Sequence, residues 1–300
     1  MTCRGRGPVN EVMSSRTRVV VLGSRGLAGH MILDYLSRID HFEVVGIDRG
    51  PASRFVQIRA DVESSSRLLS VLTAVKPAVV VNCIGVLNAA ADADLRRAIL
   101  LNSYLPYELA AWGDGLGFKL IHLSTDCVFA GNTGDYTETA VPDGTTAYAR
   151  TKMLGEVQSG RHLTFRTSIV GPEIRPDGNG LLEWFLRQTG VVPGYAGVQW
   201  TGVTSLVLAR AVEAAISSDL CGLYHLVSDT SISKYRLLKE MARAFGVHGI
   251  RIVRQQRPHS RRTLICTRTD FDFRVPDYRS MLEELARTVE DWPELRWSLH

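Results

Sequence analysis

A glycine loop between an apolar strand and a helix constrains the fold of this chain most. The segment RVVVL at 18–22 is continuously apolar after Arg18, which is typical of a strand buried on both faces of a parallel sheet. The loop GSRGLAG follows at 23–29, and apolar residues recur at helical spacing over 26–38. Glycine lets the backbone approach a pyrophosphate closely, and a helix N-terminus offers free amides to it. The segment therefore predicts dinucleotide binding, with a ligand-free glycine turn as the alternative.

The same alternation of strands and helices continues along the chain. Further strands are predicted at 42–48, 54–60, 78–85, 118–124 and 162–170, with helices near 63–75, 94–112 and 147–159 between most of them. This order predicts the α/β class, with a Rossmann-like doubly wound parallel sheet and right-handed crossovers.

Beyond residue 170 the chain becomes rich in turn formers, and its apolar segments become short. We therefore predict three parts. A flexible leader covers 1–16, a nucleotide-binding Rossmann domain covers 17–170, and residues 171–300 form mainly a smaller C-terminal substrate-binding lobe. Some elements of this last part are expected to return to the first domain.

Composition excludes several classes of function. The net charge is +4 and the basic residues are scattered, which argues against a nucleic-acid partner. The five cysteines are widely spaced and odd in number, so we expect reduced thiols and no zinc site. No apolar run reaches the roughly 18 residues of a membrane span, and no signal peptide is recognisable. We expect a cytoplasmic protein without a membrane partner, and no metal, because no cluster shows ligand spacing.

A proton-transfer site is predicted in the middle of the chain. Ser124 and Thr125 end an apolar run, FKLIHLST, and Tyr148 and Lys152 follow four residues apart. On a helix, positions i and i+4 share a face, so a Lys152 ammonium can stabilise a Tyr148 phenolate. That contact would lower the phenol pKa from about 10 toward neutrality, where a general acid is most useful. A chance pairing on a helix surface is the alternative.

Charged residues after the second and third predicted strands bear on the cofactor. Asp48 ends the second strand, where a carboxylate can accept both hydroxyls of an adenosine ribose and favours NAD. Arg49 and Arg54 follow and can attract a 2′-phosphate, so NADP stays open. Asp61 and Val62 are candidates for the adenine end, with Asp61 as a helix cap being the alternative.

Together these segments resemble an extended short-chain dehydrogenase/reductase, over about residues 17–290. The segments STDCVFAG, YTE, YARTKMLGE and FRTSIVGPE, which begin at 124, 136, 148 and 165, are similar to the dTDP-4-dehydrorhamnose reductase branch. This chain departs from the branch at Ile169, where an aromatic residue is common, and at 199–204, QWTGVT, where the family segment is only partly kept.

The resemblance implies roles for individual residues. Thr125 matches the catalytic hydroxyl, Tyr148 the general acid and Lys152 its activator, with Ser124 as an alternative hydroxyl. The implied cofactor contacts are Gly23, Arg25, Gly26, Leu27, Ala28, Asp48, Arg49, Asp61, Val62, Cys83, Ile84, Gly85, Asn102, Tyr148 and Lys152. The implied substrate contacts are Thr125, Asp126, Ile169 and Trp200. For Asn102, a polar helix residue facing solvent is the alternative.

The implied reaction is reduction by NAD(P)H of a keto group, conventionally at C4, on a nucleotide-linked 6-deoxyhexose. Two other functions stay open: an epimerase on the same scaffold and a non-catalytic NAD(P)-binding regulatory subunit. A dehydratase is disfavoured because Asp126 is followed by Cys127, where that chemistry would need a glutamate. A homodimer is expected.

Overall fold

A seven-stranded parallel sheet organises the part of the chain that the computed structural model describes, which is residues 16–175, 178, 180–290 and 292. The predicted leader lies outside these residues, apart from its last position. The strands are β1 Thr17–Leu22, β2 Phe42–Asp48, β3 Ile58–Arg59, β4 Val79–Asn82, β5 Lys119–Thr125, β6 Leu163–Thr167, β7 Ile169–Val170, β8 Gly190–Tyr195, β9 Val198–Trp200, β10 Val203–Thr204, β11 Gly222–His225, β12 Ile232–Ser233, β13 Ile250–Gln255 and β14 Ser260–Arg261. The α-helices are α1 Leu27–Ser37, α2 Ser65–Val75, α3 Asn88–Ala93, α4 Leu95–Ala98, α5 Leu105–Leu116, α6 Ala147–Leu154, α7 Leu181–Leu186, α8 Ser205–Ile216, α9 Lys234–Ala244 and α10 Tyr278–Glu290.

The strand order of the large sheet places a crevice at its centre. The order is β11-β6-β5-β4-β1-β2-β3, and every neighbouring pair is parallel. The chain moves outward from β1 to β3 and then from β4 to β6 on the other side, so the order reverses between β1 and β4. In sheets of this kind ligands bind outside the carboxyl ends of the strands at such a reversal. This doubly wound arrangement confirms the predicted fold class.

Both faces of the sheet are buried, which explains the unbroken apolar runs. Val19 and Val21 of β1 pack in one cluster with residues of α1 and α8. Val20 and Leu22 point to the other face and pack with residues of α2 and α5. Since successive strand residues face opposite sides, a strand covered on both sides has no polar alternation. Helix α8 and strand β11 come from the C-terminal half, and β11 pairs with β6.

Several predicted elements differ from the structure. The strand predicted at 162–170 divides into β6 in the large sheet and β7, which pairs with β10. The strand predicted at 54–60 is only Ile58–Arg59, because the side chain of Gln57 accepts the Gly46 amide at 2.6 Å in place of a backbone group. The helix predicted at 94–112 is α4, a π-helix over Ile99–Tyr104 and α5. The helix predicted at 147–159 ends at Leu154.

Proline 106 accounts for the π-helical turn. Pro106 lacks an N–H and so cannot bond the carbonyl of Asn102 four residues back. In the same turn, the Leu105 amide bonds the Leu100 carbonyl, five residues back, in place of the carbonyl four residues back. This is the π-helical pattern. A side chain at Gly155 would overlap the Asn102 carbonyl, so the end of α6 packs directly on this turn.

A smaller lobe stands beside the large sheet. It contains the parallel pair β8 and β13, the three strands β12, β9 and β14, and helix α9. Within the described ranges, no helix is both long and apolar enough to cross a membrane.

Candidate active site

The glycine loop leaves backbone amides free at the start of α1. The Gly26 amide bonds the Gly23 carbonyl at 2.9 Å, and Gly23 has a φ of 72°. Helix α1 has no side-chain cap, and the amides of Leu27 and Ala28 find no acceptor among the described residues. A side chain at Gly29 would overlap the Gly23 carbonyl. A tight loop with free amides at a helix N-terminus fits a pyrophosphate.

Opposite charges meet at the end of β2. One carboxylate oxygen of Asp48 accepts the Gly50 amide at 2.8 Å. The guanidinium of Arg25 lies against Gly50 so closely that a side chain there would overlap it. Arg49 is largely exposed, and its Nη1 lies 3.7 Å from Glu63 Oε1. The place predicted for the adenosine ribose therefore has one carboxylate and two guanidinium groups nearby.

Arg54 does not join this group. Its Nη1 lies 3.2 Å from a carboxylate oxygen of Asp34, and its guanidinium lies 4.5 Å from the centre of the Phe55 ring. The guanidinium is thus held between α1 and the segment after β2. The prediction that Arg54 attracts a 2′-phosphate is wrong for this arrangement.

Asp61 and Val62 lie in the turn before α2. A carboxylate oxygen of Asp61 accepts the Glu63 amide at 3.1 Å, so it closes this turn. Helix α2 begins at Ser65, and Ser64 holds its N-cap position without a side-chain cap bond, so Asp61 closes the turn before the helix and does not cap the helix itself. The side chain of Val62 packs in the core, while Asp61 is exposed and stays a candidate adenine contact.

Asn102 is buried and joins the loop after β4 to α6 by hydrogen bonds. Its Oδ1 accepts the Val86 amide at 2.8 Å, and its Nδ2 donates to the Val86 carbonyl at 2.9 Å and to Thr151 Oγ1 at 3.0 Å. The solvent-facing alternative is wrong, because Asn102 is fully buried. Both Nδ2 hydrogens are used within the protein, so the predicted cofactor contact of Asn102 stays a prediction for its Oδ1 or its backbone. Asn102 positions the loop after β4, which carries Cys83, Ile84 and Gly85, against α6. The Ile84 side chain in turn lies against Gly23.

Thr125 and Tyr148 meet at the carboxyl end of β5. The Thr125 hydroxyl donates to an Asp126 carboxylate oxygen at 3.2 Å and accepts the Cys127 amide at 3.1 Å. Tyr148 lies in the first turn of α6, which Thr146 caps by accepting the Ala149 amide. Burial raises the pKa of Tyr148, Cys127 and Asp126 raise it further, and the Thr125 hydroxyl opposes the shift. The phenol therefore holds its proton at neutral pH.

The hydrogen-bond partners of Lys152 Nζ lie on β5. Its Nζ donates to the Leu123 carbonyl at 2.6 Å and lies 3.1 Å from His122 Nε2. Burial lowers the pKa of Lys152 to about 8, against the opposing effects of Glu156 and Cys83. The prediction that Lys152 lowers the pKa of Tyr148 is contradicted here, because the buried amine takes its acceptor from β5 instead.

The hydrogen-bond geometry around His122 fixes where protons lie. Asn82 Oδ1 accepts the Ile84 amide at 3.1 Å, so Asn82 Nδ2 faces His122 Nδ1, also at 3.1 Å. An amide nitrogen only donates, so His122 Nδ1 must accept and Nε2 carries the hydrogen. His122 Nε2 then donates to Lys152, which favours the neutral amine. The sequence analysis missed His122; the one signal for it was a polar residue inside the apolar run IHLST.

Ser124 belongs to a different network. Its hydroxyl donates to Glu156 Oε1 at 2.6 Å, and Arg166 Nε donates to the same oxygen at 2.8 Å. Arg166 Nη1 in turn lies 2.9 Å from His225 Nε2. Since neighbouring strand residues point to opposite faces, Ser124 turns away from the side that Thr125 occupies. This disfavours Ser124 as the acting hydroxyl.

Trp200 is a buried residue of the smaller lobe that bonds and packs within the protein. Only 4% of its surface is exposed, its indole N–H donates to Ser168 Oγ at 2.8 Å, and its ring packs against Tyr278. The ammonium of Lys234 covers the ring at 4.7 Å from its centre. This burial disfavours the predicted substrate contact of Trp200, which stays a prediction. Ile169 in β7 is half-buried and also stays a candidate.

Asp126 and Lys234 bring charge into the same region. Burial raises the pKa of Asp126, and Lys234 and Arg262 oppose that shift. Lys234 was not predicted as a site residue; its signal was the scarcity of lysine, with only five among 35 basic residues. Over the described residues, no group of three potential metal ligands comes together.

A parallel sheet with a glycine loop at its reversal point, and a tyrosine and lysine on the helix following β5, define the extended short-chain dehydrogenase/reductase class. The chain belongs to the family described as RmlD substrate binding domain, whose model matches residues 17–289.

Named relatives and a solved structure agree with this family. A dTDP-4-keto-6-deoxy-D-glucose reductase of Streptomyces niveus is 33% identical over 243 residues, covering 76% of this chain and 79% of that protein. The dTDP-4-dehydrorhamnose reductase of Escherichia coli K12 is 32% identical over 175 residues, covering 52% of this chain and only 57% of that enzyme. A dTDP-4-dehydrorhamnose reductase structure from Bacillus anthracis, in complex with NADP, has a TM-score of 0.75 at 18% identity and covers 91% of this chain and 99% of that one.

Proposed function

We propose that this protein uses NAD(P)H to reduce a keto group, at C4, on a nucleotide-linked 6-deoxyhexose. The observation that carries the proposal is the meeting of Thr125 and a protonated, half-buried Tyr148 beside the sheet reversal where the glycine loop lies. The names of the Streptomyces and Escherichia relatives support the substrate class.

The chain's own residues fit a nicotinamide dinucleotide. The free amides of Leu27 and Ala28 suit its pyrophosphate, and Asp48 with Arg25 suits the ribose end. When bound, NAD(P)H supplies the hydride. Because a carboxylate favours unmodified ribose and a guanidinium favours a 2′-phosphate, we expect use of both NADH and NADPH. Tyr148 and Lys152 are the proposed contacts on the nicotinamide side.

The protein's part in the reaction is proton delivery and orientation. Tyr148 donates its proton to the oxygen of the keto group as that oxygen gains charge. The Thr125 hydroxyl, whose single hydrogen is donated to Asp126 in this structure, is proposed to turn that hydrogen to the same keto oxygen when substrate binds. The high pKa of Tyr148 keeps this general acid protonated at neutral pH.

The decisive experiment is a substrate panel. Purified protein is incubated with NADH or NADPH and a set of nucleotide-linked 4-keto-6-deoxysugars, and nicotinamide absorbance is followed. The matched control replaces each keto sugar by its 4-hydroxy counterpart. We expect absorbance to fall only with keto sugars.

Other outcomes would identify the alternative functions. Tight binding of NAD(P) with no oxidation across the whole panel would favour the regulatory subunit. Inversion at C4 of a hydroxy sugar without net cofactor consumption would identify an epimerase. The cytoplasmic location and the homodimer stay predictions, to be checked by cell fractionation and sedimentation.

A further inference from the structure

Two side chains near the end of α6 bind consecutive residues at the end of β5. Lys152 Nζ donates to the Leu123 carbonyl at 2.6 Å. Glu156 Oε1 accepts the Ser124 hydroxyl, also at 2.6 Å. Both Lys152 and Glu156 are buried. The carboxyl end of β5 is therefore fastened to the end of α6 at two successive positions.

The side chains that join α6 to β5 are regularly spaced. Tyr148, Lys152 and Glu156 follow one another at intervals of four residues, and positions four apart are neighbours on a helix surface. Glu156 stands just past the end of α6, where its amide bonds the Met153 carbonyl at 3.3 Å. One side of this segment thus presents a phenol, an amine and a carboxylate in succession.

The Glu156 carboxylate is held in place by Arg166 of β6. Arg166 Nε donates to Oε1 at 2.8 Å, and Nη2 donates to Oε2 at 2.5 Å. Arg166 also donates to His225 Nε2 at 2.9 Å, and its guanidinium lies 5.0 Å from the centre of the Phe129 ring. A bidentate pair of this kind fixes the orientation of the carboxylate.

This ion pair is better explained by position than by stability. Only 4% of Glu156 and 1% of Arg166 is exposed. Taking two charges out of water costs about as much as their attraction returns, so apolar side chains of similar volume often serve stability equally well. Apolar side chains, however, cannot accept a hydrogen bond from Ser124.

The Thr125 hydroxyl depends on this fastening because its own bonds are local. They go at 3.2 and 3.1 Å to Asp126 and Cys127, the next two residues along the chain. These bonds move with the end of the strand and do not tie it to α6. Displacement of Ser124 would therefore shift the whole group relative to Tyr148.

We propose that Glu156 is a positioning residue, which sets the place of Thr125 relative to Tyr148 through the Ser124 hydroxyl. The proposal rests on the proposed function, in which Thr125 and Tyr148 act on the same keto oxygen. Misplacing a catalytic group by about 1 Å can cost about 10²-fold in rate. Ser124 is then a link that positions its neighbour and not a second acting hydroxyl.

The test removes the Ser124 hydroxyl and leaves the ion pair intact. Replacing Glu156 would leave the Arg166 charge buried without its partner, which is strongly destabilising. Ser124→Ala should lower kcat for a keto sugar by about 10-fold, with the KM for NADPH close to that of the wild type. In a Thr125→Ala background the same substitution should have little further effect, because the group that it positions is already gone.

The matched control is Thr164→Val. It removes another buried hydroxyl, which donates to the Val157 carbonyl after α6 at 2.6 Å. Because this bond lies on β6 and not at the end of β5, kcat should stay near that of the wild type.

A second measurement does not depend on turnover. The Cys127 amide donates to Thr125 Oγ1, so its hydrogen exchange, followed by NMR, reports where that hydroxyl lies. Exchange should be faster in Ser124→Ala than in the wild type or in Thr164→Val. Faster exchange without turnover of any keto sugar would retain the positioning and reject the reduction.

Two results would overturn the positioning role. One is equal kcat and equal Cys127 exchange in Ser124→Ala and Thr164→Val. The other is an undiminished loss of kcat from Ser124→Ala in the Thr125→Ala background, which would mean that Ser124 acts by itself. Turnover of keto sugars in the wild type together with either result would keep the proposed function and reject only this inference.

Discussion

At the scale of single residues, the proton on Tyr148 is the central point. Burial raises the pKa of this phenol, so it is fully protonated across the neutral range. We expect Tyr148→Phe to lower kcat by about 10²-fold or more, the usual scale for losing a general acid, with cofactor affinity little changed. Steady-state kinetics and a cofactor titration measure both, with the exposed Tyr104→Phe as the matched control. Equal rates in Tyr148→Phe and Tyr104→Phe would remove Tyr148 from the acid role.

The protonation of Lys152 gives a second prediction at this scale. Its pKa of about 8 means that the charged form is lost as pH rises through that value. The hydrogen on His122 Nε2 favours the neutral amine, so His122→Phe should raise the pKa of Lys152. Nitrogen NMR of the lysine side chains measures it, and Lys152→Arg assigns the signal among five lysines.

Other titratable groups around Lys152 affect how that experiment is interpreted. Besides His122 on β5, Lys152 is faced by Cys83 after β4 and by Glu156 after α6, and both raise its pKa. Neither changes in His122→Phe. An unchanged lysine titration in that variant would show that burial alone sets the value.

At the scale of elements, the π-helix holds α6 in place. Asn102 bonds both backbone groups of Val86 and the side chain of Thr151, and the Ser103 hydroxyl bonds the Thr151 carbonyl at 2.7 Å. Asn102→Ala leaves buried backbone groups without partners, each costing about 1–3 kcal/mol. We expect a loss of about 2–4 kcal/mol in unfolding free energy, with faster amide exchange across α6 and the loop after β4.

Urea unfolding and hydrogen exchange measure this prediction. The control is Asn132→Ala, at an exposed loop position. If Asn102→Ala matches this control in unfolding free energy and in amide protection, the Asn102 hydrogen bonds are not needed for stability.

At the scale of the whole molecule, buried histidines predict acid sensitivity. Burial lowers the pKa of His30 and of His225 to about 4, and that of His122 further. Between pH 6.5 and 4 the unfolded chain takes up protons that the folded protein does not. Folding stability therefore falls as pH falls through this window, by about 2 kcal/mol per such histidine at pH 5.

His30→Asn isolates one of these contributions. His30 Nδ1 bonds the Gly26 carbonyl at 2.8 Å, whereas Nε2 is buried with no partner among the described residues. Asparagine can keep the first bond and does not titrate. The loss of stability from pH 7 to pH 5 should be smaller in this variant by about 2 kcal/mol, and unchanged in the exposed His248→Asn. Identical pH dependence in both variants would contradict the assignment.

Much of the fold could be predicted from the sequence because its signals are local. Strand β1 is recognisable from the apolar run in RVVVL, since burial on both faces requires apolar residues in succession. The glycine loop is recognisable because close backbone packing requires glycine. The predicted helix at 94–112 failed because the effect of Pro106 depends on how the turn packs against α6. The sequence motifs placed Asn102 near the site, but they do not encode its hydrogen bonds to Val86 and Thr151.

The sequence by itself determined the sheet, the loop at its reversal point and the placing of Thr125 and Tyr148 at its carboxyl edge. Only the tertiary structure decided that Lys152 turns to His122, that Trp200 is buried, and that the Lys234 ammonium rests over the Trp200 ring. The physical reason is that buried polar groups must find partners, and those partners lie far away along the chain. Apolar periodicity records which side of an element is buried, but it does not record what that side meets.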